Sequence, residues 1–361
     1  MSKSDISKTL ESQLRSEGVD LEKMYVFLEN LNSGKYDGLA GIIPETVPSM
    51  PNPSIVDRRG ISSWKMPLDD AISCFASLGI SIDPKKEGFV ECGYVTFGER
   101  ALEKIGILLY PKTAYGVLNG GSASSYADVK KNTALDPELF DHFRSIFDSL
   151  AKECSGKPKG ITPAFINGDG STGWSFLFLK LRMLLEHKKR YRDLTGHLPE
   201  FILPSFQMTS VLTDSDIANA FKAYVSDPSL LEISQELGCT AIEMFTETQT
   251  LMAAITHSST GSPRRIFDKA WGKNDTGIAM PGGHGQNFEV LAPIYRKLLE
   301  KGVRFAWLGN IDNMGYTVDP VSLAIFALSG KDAAFEESWR TPMDVKGGIL
   351  VCDSSGKFTC A

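Results

Sequence analysis

The stretch from Tyr115 to Gly121, Tyr-Gly-Val-Leu-Asn-Gly-Gly, joins an apolar run to two adjacent glycines. Its first four residues are typical of a short buried β-strand. Similar runs follow at Phe201–Leu203, Ala241–Phe245 and Arg304–Leu308, with helical sequence between them. Strands that alternate with helices predict an α/β fold, with a mostly parallel sheet covered by helices on both faces.

The helices of this fold can be placed from caps and periodicity. We expect them at Asp136–Cys154 (with Pro137 at its first position), Trp174–Leu194, Asp214–Val225, Gln286–Lys301 and Pro320–Leu328. The preceding sequence predicts helices that end near Glu17, at Leu21–Leu31 and at Met66–Leu78, with a proline-rich arm at 44–53. We therefore expect an N-terminal helical region at 1–105 and a parallel-sheet domain at 106–361.

Composition excludes several classes of protein. The chain has 361 residues, 42% hydrophobic residues and a formal net charge of −6, which argues against a nucleic-acid binder because such proteins are usually basic. The six cysteines form no C-x-x-C pair and the five histidines no H-E-x-x-H arrangement, so zinc and redox motifs are not indicated. The sequence contains no apolar run long enough to span a membrane. We expect a soluble, cytoplasmic protein.

Ligands of parallel sheets bind where loops leave the carboxyl ends of the strands. The loop Leu118–Ser125 has Gly120 and Gly121 and several serines, so its backbone N–H groups and hydroxyls can hold phosphate oxygens. A plain turn is the alternative for this loop. Lys159, on a loop flanked by Pro158 and Gly160, can place an ammonium against a phosphate, although a lone lysine is more often solvated.

Two further loops carry candidate side chains. His284 is surrounded by three glycines in Pro281–Gln286, which suits contact with a base or a sugar. Asp312 follows the last predicted strand between Asn310 and Asn313, where a carboxylate can hold Mg²⁺ beside phosphates or form an Asx turn. Together the four loops predict a nucleotide-phosphate site without a P-loop.

Short segments resemble motifs of the UTP–sugar-1-phosphate uridylyltransferases, which include UTP–glucose-1-phosphate uridylyltransferases and UDP-N-acetylglucosamine pyrophosphorylases. The resembling segments are Leu118–Gly121 (L-N-G-G), Pro158–Gly160 (P-K-G), Pro204–Thr209, Gly283–Gly285 (G-H-G), Asn310–Gly315 (N-I-D-N-M-G) and Asp344–Gly348 (D-V-K-G-G). They occur in the family's order and cover about residues 95–351. The resemblance implies a Rossmann-like nucleotide-diphospho-sugar transferase fold.

The resemblance also implies an activity: transfer of the uridylyl group of UTP to a sugar-1-phosphate, with glucose-1-phosphate favoured, giving a UDP-sugar and pyrophosphate. It implies catalytic roles for Lys159 and Asp312, with Mg²⁺ on Asp312. The implied nucleotide-binding residues are Leu118, Asn119, Gly120, Gly121, Gln249, Gly283 and His284, and the implied sugar-phosphate-binding residues are Asn310, Lys346 and Gly347. A UDP-N-acetylglucosamine pyrophosphorylase, a non-catalytic UTP- or UDP-sugar-binding protein and a structural α/β protein without nucleotide binding remain alternatives.

The sequence departs from the family pattern at three places. After Gly121 it continues Ser-Ala-Ser-Ser, where the family has a further Gly-Thr. Lys130 and Lys131 compete with Lys159 for the phosphate contact. The family continues beyond the D-V-K-G-G motif with more of its sugar-binding lobe, so we expect a truncated product or a shortened homologue. The oligomeric state and the identity of the sugar stay open.

Overall fold

A computed structural model describes residues 6–37, 43–52, 54–60, 63–123, 137–239, 242–257, 263–339 and 348–360. The strands are β1 (Ser63–Pro67), β2 (Phe89–Glu91), β3 (Tyr94–Gly98), β4 (Thr113–Leu118), β5 (Ser205–Ser210), β6 (Met244–Gln249), β7 (Leu251–Ala253), β8 (Ala279–Pro281), β9 (Phe305–Asn310), β10 (Leu350–Cys352) and β11 (Phe358–Cys360).

The helices agree with many of the predicted ones. They are α1 (Lys8–Ser16), α2 (Leu21–Asn32), α3 (Leu68–Leu78), α4 (Pro84–Glu87), α5 (Glu99–Leu108), α6 (Pro137–His142), α7 (Arg144–Cys154), α8 (Phe176–Thr195), α9 (Asp214–Tyr224), α10 (Pro228–Leu237), α11 (Asn287–Val290), α12 (Ala292–Glu300) and α13 (Pro320–Ser329). The predicted helix 286–301 is two helices, because Pro293 lacks the N–H that a continuous helix needs. The predicted helix that ends at Cys154 is also interrupted, at Phe143.

A four-stranded parallel sheet is the centre of the fold, which confirms the predicted fold class. Its strand order is β6-β5-β4-β9, and all three pairings are parallel. The predicted strand at 201–203 is wrong, since the strand is β5 at Ser205–Ser210. Leu203 has a positive φ of 44° and precedes a proline, whereas every residue of β5 is buried although most are polar.

Helices cover both faces of this sheet. On one face, Ala114 and Phe206 belong to an apolar cluster with Ile294 and Leu298 of α12. On the other face, the ring of Phe305 in β9 lies 5.8 Å from that of Phe326 in α13. The sheet is therefore buried on both sides, as its apolar β4 sequence requires.

The N-terminal third contains a sheet that sequence periodicity did not predict. Strands β1, β3 and β2 form an antiparallel sheet in that order. Met66 lies in β1, so the helix predicted from Met66 begins only at Leu68. A purely helical region over 1–105 is thus wrong for the segment Ser63–Gly98, where strands of three to five residues are too short to show a clear periodicity.

Contacts group the chain into two units. One contains Met1–Ile61, Thr250–Gly282 and Phe335–Ala361, and the other contains Ser62–Gln249 and Gly283–Ala334. In the first unit, α1 and α2 contribute to an apolar cluster with Leu251 and Ile266. This grouping does not fall at residue 105, because β1–β3 and α5 belong to the unit of the parallel sheet. Domains at 1–105 and 106–361 stay a prediction. Among the described residues, no helix is both long and apolar enough to cross a membrane.

Gly106 permits the close crossing of α5 and α13. An ideal Cβ at this position would lie 1.8 Å from the carbonyl oxygen of Pro320. We expect Gly106→Ala to lower the free energy of unfolding by about 1–3 kcal/mol, because the two helices must move apart. Urea unfolding measures this change, with Gly168→Ala as control, since no atom lies within 4 Å of a Cβ there. Equal urea midpoints for the Gly106 variant and the original chain would contradict this packing.

Candidate active site

Two loops leave the parallel sheet side by side. Leu118 at the end of β4 pairs with Asn310 at the end of β9, so the glycine turn and the Asp312 loop begin at the same edge. The turn lies close to β5, since a Cβ on Gly120 would be 3.3 Å from the carbonyl carbon and oxygen of Thr209. The parallel register thus brings two of the predicted loops together, as the sequence indicated.

Lys159 and Asp312 form an ion pair at this edge. Lys159 Nζ lies 2.7 Å from Asp312 Oδ2, and the side chains are 27% and 23% exposed. The Lys159 N–H donates to the carbonyl oxygen of Gly121 at 2.9 Å, which ties the lysine loop to the glycine turn. Lys159 is therefore not a solvated surface lysine, and its ammonium is held close to the glycine turn.

Close backbone approach fixes the lysine loop. A Cβ on Gly160 would lie 2.2 Å from Asn119 Oδ1, so a side chain at this position requires Asn119 to move. Asn119 itself is fully buried, and its Nδ2 donates to Gln207 Oε1 at 3.0 Å. Gln207 Nε2 in turn donates to Thr246 Oγ1 at 3.0 Å. The Asn119 side chain thus connects β4 to β5, a role that the sequence did not reveal.

Lys180 lies on α8 and is a site residue that sequence reasoning missed. It is 5% exposed, and its Nζ donates to the carbonyl oxygens of Asn313 and Tyr316, both at 2.7 Å. Burial lowers the pKa of Lys180 to about 8, partly offset by the negative charge of Asp312. The available signal was that Lys180, together with Arg182, interrupts the largely apolar run Trp174–Leu185.

Tyr316 supports the same loop from the sheet. Its ring stacks on Tyr115 with centroids 4.8 Å apart, and its hydroxyl donates to the Gly116 carbonyl at 2.9 Å. The Tyr115 hydroxyl donates to the Tyr316 carbonyl at 3.2 Å. Asp312 is therefore carried by a loop with several buried hydrogen bonds, which restricts its position.

Gln249 and the Gly283 turn form a second cluster at the end of β6. Gln249 is 4% exposed, and its Nε2 donates to the Gly283 carbonyl at 3.1 Å and also to Gln286. Gly283 has a φ of +87°, a conformation that favours glycine. His284 is exposed. The structure thus joins Gln249 to the G-H-G segment, and a direct nucleotide contact by Gln249 stays a prediction.

The other predicted site residues divide into two groups. The Leu118 side chain packs against the apolar cluster of the sheet, and exposed Asn310 accepts the N–H of Asn313 through its backbone oxygen at 3.2 Å. The remaining candidates, Ser124, Ser125, Lys130, Lys131, Lys346 and Gly347, lie outside the described residues.

The described residues contain no group of three or more His, Cys, Asp or Glu side chains that could hold a metal ion. Mg²⁺ commonly binds through one or two carboxylates together with substrate phosphates and water. Asp312 supplies one such carboxylate, which Lys159 links to the glycine turn. The donor set therefore fits a Mg²⁺ ion that binds together with substrate phosphates.

Comparison with known proteins finds a family match in the second half of the chain. Residues 195–360 match the model of the family UTP–glucose-1-phosphate uridylyltransferase. Over this segment, the chain is similar to that family. The match includes β5, β6, β9 and Asp312, whereas the glycine turn and Lys159 precede it. The resemblance inferred from the short motifs is confirmed.

Two curated relatives agree with the family match. A UTP–glucose-1-phosphate uridylyltransferase of Encephalitozoon cuniculi is 37% identical over 73 residues, which are 20% of this chain and 15% of that protein. A probable UTP–glucose-1-phosphate uridylyltransferase of Schizosaccharomyces pombe is 36% identical over 73 residues, or 20% of this chain and 14% of that protein. These matches span well under two thirds of either relative.

Two solved structures are similar at low identity. The UDP-N-acetylglucosamine pyrophosphorylase of Trypanosoma brucei has a TM-score of 0.49 at 20% identity, covering 73% of this chain and 44% of that one. A mutant form of the UDP-glucose pyrophosphorylase of Leishmania major has a TM-score of 0.48 at 18% identity, covering 100% of this chain and 56% of that one.

The lowered pKa of Lys180 predicts a pH dependence of stability. An unfolded lysine titrates near pH 10.4, so between about pH 8 and pH 10.4 the unfolded chain binds more protons at this position than the folded one. The contribution of Lys180 to the free energy of unfolding therefore rises with pH between these two values. We expect the original chain to gain stability relative to Lys180→Met between pH 8 and pH 10, as measured by urea unfolding. A difference that stays constant or falls would contradict the burial of a titrating ammonium.

Proposed function

We propose that the chain transfers the uridylyl group of UTP to a sugar-1-phosphate, with glucose-1-phosphate as the favoured acceptor. The observation that carries the proposal is the pairing of Lys159 with Asp312 beside Gly120 and Gly121. Uridylyl transfer requires groups that bind phosphates and neutralise their negative charge. Such groups include a lysine, a carboxylate that can hold Mg²⁺ and an open glycine turn. The family match over residues 195–360 supports this choice of reaction.

In the proposed reaction, a phosphate oxygen of the sugar-1-phosphate attacks the α-phosphorus of UTP in line, and pyrophosphate leaves. Such a transfer depends on positioning and on neutralising charge. The glycine turn binds the triphosphate, and Lys159 neutralises negative charge that develops on its oxygens. Asp312 would hold Mg²⁺, which when bound supplies further charge neutralisation. Gln249, Gly283 and His284 line the nucleotide pocket, and Asn310, Lys346 and Gly347 orient the sugar phosphate.

Pyrophosphate release tests the function directly. The chain is incubated with UTP, Mg²⁺ and each of several sugar-1-phosphates, among them glucose-1-phosphate and N-acetylglucosamine-1-phosphate. Release with glucose-1-phosphate is the expected result. Release only with N-acetylglucosamine-1-phosphate supports the alternative acceptor, and UTP binding without release supports a non-catalytic nucleotide-binding protein. We propose that the reaction takes place in the cytoplasm.

Removing either charge of the ion pair is expected to abolish most turnover. Lys159→Met and Asp312→Asn should each lower kcat by about 10²–10³-fold, because each removes an interaction with charge that grows in the transition state. Lys157→Met is the matched control, since Lys157 lies on the same loop but pairs with Glu153 at 3.8 Å. Steady-state pyrophosphate release measures the effect. If Asp312→Asn keeps full activity, the metal-binding role of Asp312 is wrong.

The Gly283 turn offers a test of the nucleotide pocket. Gly283→Ala places a side chain on a residue at φ +87°, which costs about 1–2 kcal/mol or distorts the turn. We expect the KM for UTP to rise about tenfold, the factor that corresponds to about 1.4 kcal/mol of lost binding. Gly285→Ala is the control, because no atom lies within 4 Å of its Cβ and its φ is not positive. Equal KM values for the two variants would place the uridine elsewhere.

A further inference from the structure

Lys180 binds the turn that follows Asp312. Its Nζ donates to the carbonyl oxygens of Asn313 and Tyr316. These two carbonyls belong to one turn, because the Tyr316 N–H donates to the Asn313 carbonyl at 3.2 Å. Both ends of the turn are therefore fixed by one buried ammonium.

The carboxylate of the ion pair belongs to Asp312, the residue directly before this turn. The Asn313 N–H donates to the Asn310 carbonyl at 3.2 Å, and the Ile311 N–H donates to the Leu118 carbonyl at 3.3 Å. Asp312 lies between these two anchored residues, and its side chain contacts Lys159. A shift of the Asn313–Tyr316 turn would thus move the carboxylate.

We propose that Lys180 is a positioning residue, which holds Asp312 in place through the Asn313–Tyr316 turn when Lys159 binds substrate phosphate. This inference rests on the function proposed above. When Lys159 leaves Asp312, the carboxylate loses its 2.7 Å partner. The buried charge of Lys180 then remains near Asp312, and its hydrogen bonds keep the backbone of the loop unchanged.

Lys188 provides a matched control. It lies on α8 two turns beyond Lys180, and it is 6% exposed, close to the 5% of Lys180. Lys180→Met and Lys188→Met therefore remove the same group from equally buried positions of one helix. The control lacks the hydrogen bonds to Asn313 and Tyr316 that distinguish Lys180. Where Lys180→Met fails to fold, Lys180→Gln replaces it.

The first measurement is amide hydrogen exchange in the full chain without substrate. We expect the amides of Ile311, Asn313 and Tyr316 to exchange at least tenfold faster in Lys180→Met, and at the original rate in Lys188→Met. Unchanged exchange in Lys180→Met would overturn the inference, whatever the enzyme activity is.

The second measurement separates positioning from stability. Lys180→Met is expected to lower kcat at least tenfold with the KM for UTP within threefold, whereas Lys188→Met changes neither more than twofold. In an Asp312→Asn background, Lys180→Met should reduce the residual rate by less than twofold, because both changes act on the same carboxylate. The positioning role would be overturned if Lys180→Met and Lys188→Met lowered kcat equally. It would also be overturned if Lys180→Met lowered the rate at least tenfold in the Asp312→Asn background. Absence of turnover in the original chain would refute the proposed function, while the exchange rates still decide on Lys180.

Discussion

The ion pair between Lys159 and Asp312 is the contact on which the site depends. It joins the lysine loop, which is tied to the glycine turn after β4, to the loop that follows β9, and the pairing of Leu118 with Asn310 sets their distance. The two side chains are about a quarter exposed, so their charged ends remain partly accessible to solvent. The geometry of the pair allows Lys159 to exchange Asp312 for a phosphate, because the ammonium can move to the phosphate while the Asp312 carboxylate stays on its loop.

Buried polar groups keep that geometry rigid. Strand β5 lies between β4 and β6, and it is filled with polar side chains such as Gln207, which bonds to Asn119 and to Thr246. Lys180 is likewise buried and bonded to two carbonyls. A buried polar network destabilises the fold when some of its hydrogen bonds are missing. When all of them are made, the network restricts the residues to one arrangement. Polar residues thus replace part of the apolar core where the sheet meets the site, which keeps both loops in one arrangement.

The sequence predicted the parallel sheet and the loops at its strand ends, because these depend on local periodicity and glycine chemistry. Lys159 became a candidate through the family resemblance, and its place beside the glycine turn comes from the tertiary fold. It could not predict β5, since a strand made of buried polar residues has no hydrophobic signature. It also missed Lys180, because a lysine in an apolar helix gives no hint of which carbonyls it meets. Gln249 shows the same limit: its link to Gly283 joins residues 34 positions apart, and only the tertiary fold brings them together.

A crystal structure of the chain with UTP bound tests the role of the Lys159–Asp312 pair most directly. We expect Lys159 Nζ to lie within hydrogen-bond distance of a phosphate oxygen and to have left Asp312, while the backbone from Asn310 to Tyr316 keeps its present position. UTP bound away from the glycine turn, or bound there with the Lys159–Asp312 contact intact and no lysine contact to phosphate, would contradict it.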